Sequence, residues 1–472
     1  MLGFDGLFGN VDLDGTSVFR NKKQKQIYDT LFSWVNLEDP VFLHALDRIL
    51  NTRDNLSIVG PGGVGKSILL KMASHMLDGN TVVLSTTGVS SANLAGDGVV
   101  SSTLHSFFHF PAITVFDGDY TKGALRDVIE AVDTILIDEV SMLNASCMEA
   151  VLRCLSVYRR FSEKDFPRII LFGDTLQLPP VINQKDKAVA QYFNDHYFGY
   201  TMFFMSVLFQ RMPFETIHLH KIYRQKDNRW KQALDNIRMG KVIEEDIDLI
   251  NTRLVSESDF IKMHDNMMYL VCTNERATAL NEFHLDDTHG IEFEAQMSDS
   301  LLYGKVELPP NLPRAVTIAP GMQIMCLHNN KDKGYQNGTL ARATEVYPDR
   351  VVARKEDGSI IEIGEENWEF YEYVYNKETD HIEPKVVGTY SIMGCKPAFA
   401  VTIYKSQGLT LNSMLLDPRG VSWMAPGLLY VALSRCTTLE GVGLTHPIKP
   451  KYIRVNQEGL DYLNGKYPRH DR

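Results

Sequence analysis

From residue 55 onward, short apolar runs alternate with longer segments of helical period. The run ending at 58–60 reads as a buried strand and 66–77 as a helix. Further strands are expected at 81–85, 134–137 and 168–172, with a helix at 142–158. Unbroken apolar strands separated by helices predict a parallel sheet covered on both faces. A second region starts near 224. It holds an amphipathic helix at 228–239, a strand at 268–272 and a helix at 274–284. Residues 285–395 break the pattern. Pro309, Pro310, Pro313, Pro320 and Pro348, the acidic pair Glu365–Glu366 and runs such as 350–354 predict a mostly β insertion. The αβ pattern resumes at 398 and runs to about 444. Residues 1–40 carry only a basic helical stretch at 22–32, and the tail from 445 is short and locally basic.

The 472 residues have ordinary globular composition, enough for about three domains or two with insertions. No apolar run is long enough for a membrane helix, so no membrane association is expected. The six cysteines show no paired spacing and read as reduced thiols. With no leader-like start, an intracellular protein is expected, at the nucleoid if bacterial. The net charge of −11 is unusual for a protein that coats nucleic acid, but leaves room for a local basic groove.

Residues 60–67, GPGGVGKS, form a phosphate-binding loop between a strand and a helix. Gly60, Gly62, Gly63, Val64 and Gly65 make the backbone cradle, whose N–H groups face a phosphate without obstruction. Lys66 would reach the β- and γ-phosphates and Ser67 would hold Mg²⁺. In ILIDE, 135–139, Asp138 is the candidate metal carboxylate and Glu139 the candidate general base. Together these predict Mg²⁺-assisted hydrolysis of a nucleoside triphosphate. Gln177, in GDTLQLPP, is the candidate sensor of γ-phosphate and attacking water. Arg224 and Arg435 each follow an apolar stretch, and guanidinium suits transferred phosphoryl charge. Lys405, Ser406, Gln407 and Gly408 suit a nucleic-acid backbone or a γ-phosphate. Residues 85–106 are rich in Ser, Thr, Asn and Gly, and suit phosphate contacts without base reading. His105, Phe107 and Phe108 could stack on bases, with core packing the competing role for at least one Phe.

The motifs GPGGVGKS, STTGVSSANLAG, TLHSFF, LIDEVSM, GDTLQLPPV, IYRQ, AVTIYKSQGLTL and YVALSRCTTLEGVGL occur in that order. The series resembles superfamily 1B DNA helicases, most closely the PIF (petite integration frequency) helicases, with RecD-type enzymes next. The segments at 270–284 and 321–346 are similar to that family too, so the likeness spans about 42–444. It implies an α/β fold of two RecA-like domains with parallel sheets and ATP between them, plus a small Src-homology-3-like β-barrel. The implied boundaries are an N-terminal segment at 1–40 and a first domain at 41–222, with a wedge at 108–125. The second domain would take 223–333 and 393–472, and the barrel 334–392. The implied activity is ATP-driven 5′→3′ movement on single-stranded DNA, with unwinding of duplex, G-quadruplex junctions or RNA–DNA hybrids, in replication, repair, recombination or telomere maintenance. A monomer is expected, with association on DNA as an option. Thr87, Asn93, Thr103, His105, Ser106, Asn274, Lys405 and Ser406 would line the DNA path.

Three departures stand out. Gly63–Val64 stand in the first loop where Thr or Ala is more common, which leaves a backbone cradle intact. Tyr404 replaces the family's usual His, and residues 40–55 lack the expected adenine-reading Gln, with Gln24 and Gln26 further upstream. Two other readings of the motifs remain: a nucleotide-gated DNA binder that does not unwind, and an NTPase switch acting on protein partners.

Overall fold

The computed structural model describes residues 18–88, 90–91, 94, 99–111, 125–159, 166–183, 185–264, 266–284, 290–304, 306, 308, 312–330, 332–420 and 425–470. The first domain is built on six parallel strands: β1 (Asn55–Val59), β2 (Thr81–Ser85), β3 (Ser102–Thr103), β4 (Thr134–Asp138), β5 (Arg168–Gly173) and β6 (Phe214–His218). Their spatial order is β3-β2-β4-β5-β1-β6. Alternate residues of one strand feed opposite cores. Val82, Leu84, Ile135, Ile137, Ile169 and Leu171 enter one. Val83, Leu136, Ile170 and Phe172 enter the other. Both faces are therefore covered, which is why the strands read as unbroken apolar runs.

The second domain repeats the plan on four parallel strands, in the order Ala400–Thr402, Met268–Val271, Met414–Leu416 and Val442–Leu444. Met268, Leu270, Met414 and Leu416 face one core, Tyr269, Val271 and Leu415 the other. Between its first and second chain-order strands lies an antiparallel sheet of seven strands with its own core. Its end strands are Cys395–Pro397 and Gln296–Met297. Among the described residues no pairing joins those ends into a closed ring.

The strands Ile360–Asn376 and His381–Met393 form a long hairpin that reaches the first domain. There the Tyr373 hydroxyl accepts from the Val83 N–H (3.1 Å) and donates to the Val100 carbonyl (2.8 Å). The tail also returns. Its helix Gln457–Leu463 packs on the first domain, where Glu458 accepts from the backbone N–H groups of Thr201 (2.6 Å) and Met202 (3.0 Å).

Local chemistry sets several ends. The helix expected from 142 begins at Ala145, because Val140–Met142 forms a 3₁₀ turn and the Asn144 side chain caps the Cys147 N–H. The basic stretch is α-helical over Lys22–Ile27, then widens to a π turn over Tyr28–Phe32. The wedge expected at 108–125 falls largely outside the described residues. All six cysteines are free and buried, as expected. No helix among the described residues is long and apolar enough to cross a membrane.

Arg168, 4% exposed, ties the helix Pro40–Asn51 to the start of β5. Its guanidinium donates to the carbonyls of Ile49 (2.6 Å), Arg48 (2.8 Å) and Asp54 (2.8 Å). Those carbonyls lie at and beyond the helix end, where no intrahelical donor reaches. Burial lowers its pKa to about 10, so it remains charged at neutral pH. Arg168→Met should take the donor from the Ile49 and Asp54 carbonyls, the Arg48 carbonyl keeping the Thr52 hydroxyl, and cost about 2–4 kcal/mol, read as a lower urea midpoint.

Candidate nucleotide site and nucleic-acid face

The phosphate loop leaves the end of β1 and enters the helix Lys66–Met76. Gly63 and Gly65 have φ of 80° and 92°, a region that L side chains rarely adopt. A Cβ on Gly63 would also lie 2.6 Å from the Arg224 Cβ. Val64 is buried in the core and anchors the loop. Gly60 packs against the Leu219 carbonyl behind the cradle, outside the cleft lining. The Lys66 ammonium donates to the carbonyls of Gly60 and Pro61, both at 2.8 Å. Burial lowers its pKa, opposed by Asp174, Glu139 and Asp138.

Asp138 ends β4 and accepts from the Ser90 hydroxyl (3.1 Å). Burial raises its pKa. Glu139 follows at φ 53°, a strained conformation for this residue type, which turns it out of the strand. Its pKa is pushed up to about 7, first by burial and then by the neighbouring Asp138. A carboxylate with that pKa suits proton abstraction at neutral pH.

Residues from both halves of the chain converge on Gly62. A Cβ there would lie 3.4 Å from Arg224 Nη1, 3.6 Å from Arg435 Nη2 and 3.8 Å from Gln177 Nε2. Arg435 is 3% exposed, and burial together with Arg224 lowers its pKa to about 9. Its guanidinium is aimed by donation to the Val431 carbonyl (2.9 Å) and the Ser434 hydroxyl (3.0 Å). Arg224 donates to the Ser434 carbonyl (3.3 Å). Two cations held together in a buried site favour a multiply charged anion beside them. The Tyr430 hydroxyl accepts from the Gly62 N–H (3.0 Å), tying the second domain to the loop directly.

Gly62, Gln177, Arg224 and Arg435 line a cleft of about 420 Å³ with Gly65, Lys66, Ser67, Asp138, Glu139 and Gly408. Trp34, Phe42 and Tyr223 line the same cleft. Sequence reasoning missed those three and Tyr430. Tyr223 sat beside a singled-out arginine, and Phe42 follows the Asp39 N-cap of a recognisable helix. Trp34 lies in a stretch without pattern. Gln24 is not in the cleft: it is buried, accepting from Arg20 N–H and donating to the Met76 carbonyl.

The expected DNA-path residues lie at or past the carboxyl ends of the strands. Thr87 follows β2, and Thr103 is the last residue of the adjacent β3. Thr87 accepts from the Ser90 N–H, and Thr103 caps the Ser106 N–H. Ser106 is exposed, and His105 is half-buried with its pKa lowered by burial. Asn274 and Lys405 are exposed beyond the paired strands Met268–Val271 and Ala400–Thr402. The Ser406 side chain points inward instead, fully buried and donating to the Ile403 carbonyl (2.7 Å). Phe107 and Phe108 both belong to the core, so neither is a stacking platform. Asn93 lies outside the described residues. Lys396, unforeseen, has its pKa lowered to about 8 by burial and by Lys405. It therefore adds a second cation beside Lys405.

Residues 22–248 match the family model described as PIF1-like helicase. A curated relative, the ATP-dependent DNA helicase Pif1 of Bdellovibrio bacteriovorus, is 26% identical over 434 residues, covering 89% of this chain and 90% of its own. Over most of its length the chain is similar to PIF1-like helicases. The Bacteroides sp Pif1 structure with ADP-AlF4 superposes with a TM-score of 0.77 at 23% identity, covering 95% of this chain and 99% of that one. The Bacteroides Pif1 structure with ADP-AlF3 and ssDNA gives 0.60 at 24%, covering 96% and 99%. Both likenesses concern the fold, and the PIF1-like architecture is the one described above.

With Glu139 as the candidate general base, its pKa predicts a pH dependence: a base works deprotonated, so kcat/KM for triphosphate hydrolysis should fall about tenfold per pH unit below about 7. Glu139→Gln should lose at least about 100-fold in kcat while still binding a fluorescent nucleotide. A flat profile from pH 8 to 5.5 would remove Glu139 as the base.

Proposed function

We propose that the chain is an ATP-dependent DNA helicase that moves 5′→3′ along single-stranded DNA and unwinds the duplex ahead. The observation that carries this reading is the convergence at Gly62 of Gln177 with Arg224 and Arg435. A site completed by both halves of the chain links the chemistry to relative domain position. The names of the relatives and the ordered motifs support DNA as the track. The polarity rests on the motif resemblance, as does action on G-quadruplexes and RNA–DNA hybrids.

In this mechanism the triphosphate lies along the loop from Gly62 to Ser67, with Lys66 turning from the loop carbonyls onto it. Ser67 and Asp138 offer a hydroxyl and a carboxylate at the same cleft, hard oxygen donors that fit Mg²⁺. Bound there with the phosphates, Mg²⁺ would offset their charge. Glu139 takes a proton from water as the water oxygen attacks the γ-phosphorus. The bond to the β–γ bridging oxygen breaks, giving ADP and phosphate. Arg224 and Arg435 stabilise the charge spread over the transferred group. Loss of that charge weakens the contact between the halves, and the strand ends carrying Thr87 and Lys405 shift relative to each other. Contacts to phosphates make binding insensitive to sequence and sensitive to salt.

The test is unwinding of a partial duplex with a 5′ or a 3′ single-stranded tail, with Lys66→Ala as control. Unwinding of the 5′-tailed substrate alone, lost in Lys66→Ala, is expected. Unwinding from the 3′ tail would reverse the polarity, and DNA-stimulated hydrolysis without strand separation would favour a gated binder.

The aromatic lining of the cleft adds a second expectation, for recognition of the base. Trp34, Phe42 and Tyr223 offer flat surfaces. The Asn36 amide is engaged by Glu38 through both its nitrogen (3.0 Å) and its oxygen (2.8 Å). Stacking without edge reading discriminates weakly between purines. Steady-state kinetics should give kcat/KM for GTP within about tenfold of that for ATP.

A further inference from the structure

The segment 174–178 carries Gln177 and follows β5 of the first domain, yet the second domain and the tail hold it on three sides. Asp174, fully buried, pairs with Arg238 on the helix Asn228–Met239. Arg238 Nη2 lies 2.8 Å from Asp174 Oδ1, and its Nε lies 3.1 Å from both carboxylate oxygens. The same carboxylate accepts from the Leu176 N–H (3.2 Å) and from Gln177 Nε2 (3.5 Å). Asn456, 2% exposed, donates to the Thr175 carbonyl (2.9 Å) and the Gln177 carbonyl (3.4 Å). Gly427, at the start of the helix that leads to Arg435, lies so close that a Cβ would sit 2.9 Å from the Leu176 carbonyl. Leu178 is buried in the second domain's core beside Trp230 and Leu234.

We infer that Arg238 is a positioning residue: through Asp174 it makes the Gln177 loop travel with the second domain, so that DNA-driven domain movement sets where Gln177 stands at the γ-phosphate. The inference rests on the helicase reading. Arg238 does not line the nucleotide cleft, and its hydrogen-bonded route to the chemistry runs through Asp174 and Gln177. The pair is bidentate and buried, and Asn456, Gly427 and the second domain's core hold the same five residues. Rigid coupling of this kind transmits a small displacement without absorbing it.

The test uses full-length wild type, Arg238→Lys, Gln177→Ala and the double variant. Steady-state ATP hydrolysis is measured with and without a saturating single-stranded oligonucleotide. Lysine keeps the charge but cannot fork onto both oxygens. Arg238→Lys should lower DNA-stimulated kcat at least tenfold, with KM for ATP within twofold of wild type. The double variant should be no slower than Gln177→Ala alone, since the loss runs through one side chain. Losses that multiply in the double variant, or an unchanged kcat in Arg238→Lys, would overturn the inference. If Arg238→Lys fails to fold, Asn456→Ala replaces it under the same criteria, because it loosens the loop without leaving a buried charge unpaired. Wild-type hydrolysis that ignores DNA would overturn the helicase reading itself, and this inference with it.

Discussion

The arrangement depends on how closely two halves of one chain approach the backbone at Gly62. Only hydrogen occupies the side-chain position there, so Arg224, Arg435 and Gln177 all come within 4 Å of where a Cβ would stand. The Tyr430 hydroxyl takes the Gly62 N–H at the same point. A Cβ would just fit there at van der Waals distance, whereas a longer side chain would press on the groups that the second domain brings to the loop. The loop is therefore both a cradle and the surface on which the domains meet.

That meeting explains the electrostatics. Burial weakens the charged forms of Lys66, Arg224 and Arg435 and strengthens the neutral form of Glu139. The site concentrates cations around a carboxylate and is thus suited to a polyanionic ligand whose charge would answer the cations. Groups that titrate near neutrality follow from the same desolvation.

The long hairpin and the tail extend the same principle. Tyr373 reaches into the first domain from the inserted sheet, while Glu458 and Asn456 reach it from the C-terminal segment. Each crossing satisfies backbone groups of the first domain with side chains encoded more than 250 positions later. The first domain is consequently held on several sides by the second half of the chain, and the loop at Gln177 is held by both.

Much of this was legible in the residues themselves. Strand and helix alternation, the glycine-rich loop and the strand ending in Asp138–Glu139 are local patterns, because the pleat, the helix turn and the phosphate cradle are all set within a few residues. The roles expected of Lys66 and Glu139 needed no tertiary information beyond that. Position across the fold was a different matter. Phe107 and Phe108 look like stacking residues in the text and are core, because they follow β3 onto the sheet's covered face. Ser406 looks like a backbone contact and turns inward. Trp34, Phe42 and Tyr223 meet at one cleft only because three separate elements converge there. Asp174 and Arg238 are 64 positions apart and find each other through domain packing. Local chemistry is written in short-range sequence, since dihedral preferences act between neighbours. Partnership between distant side chains is decided by which surfaces the folded domains press together, and that is a property of the whole chain.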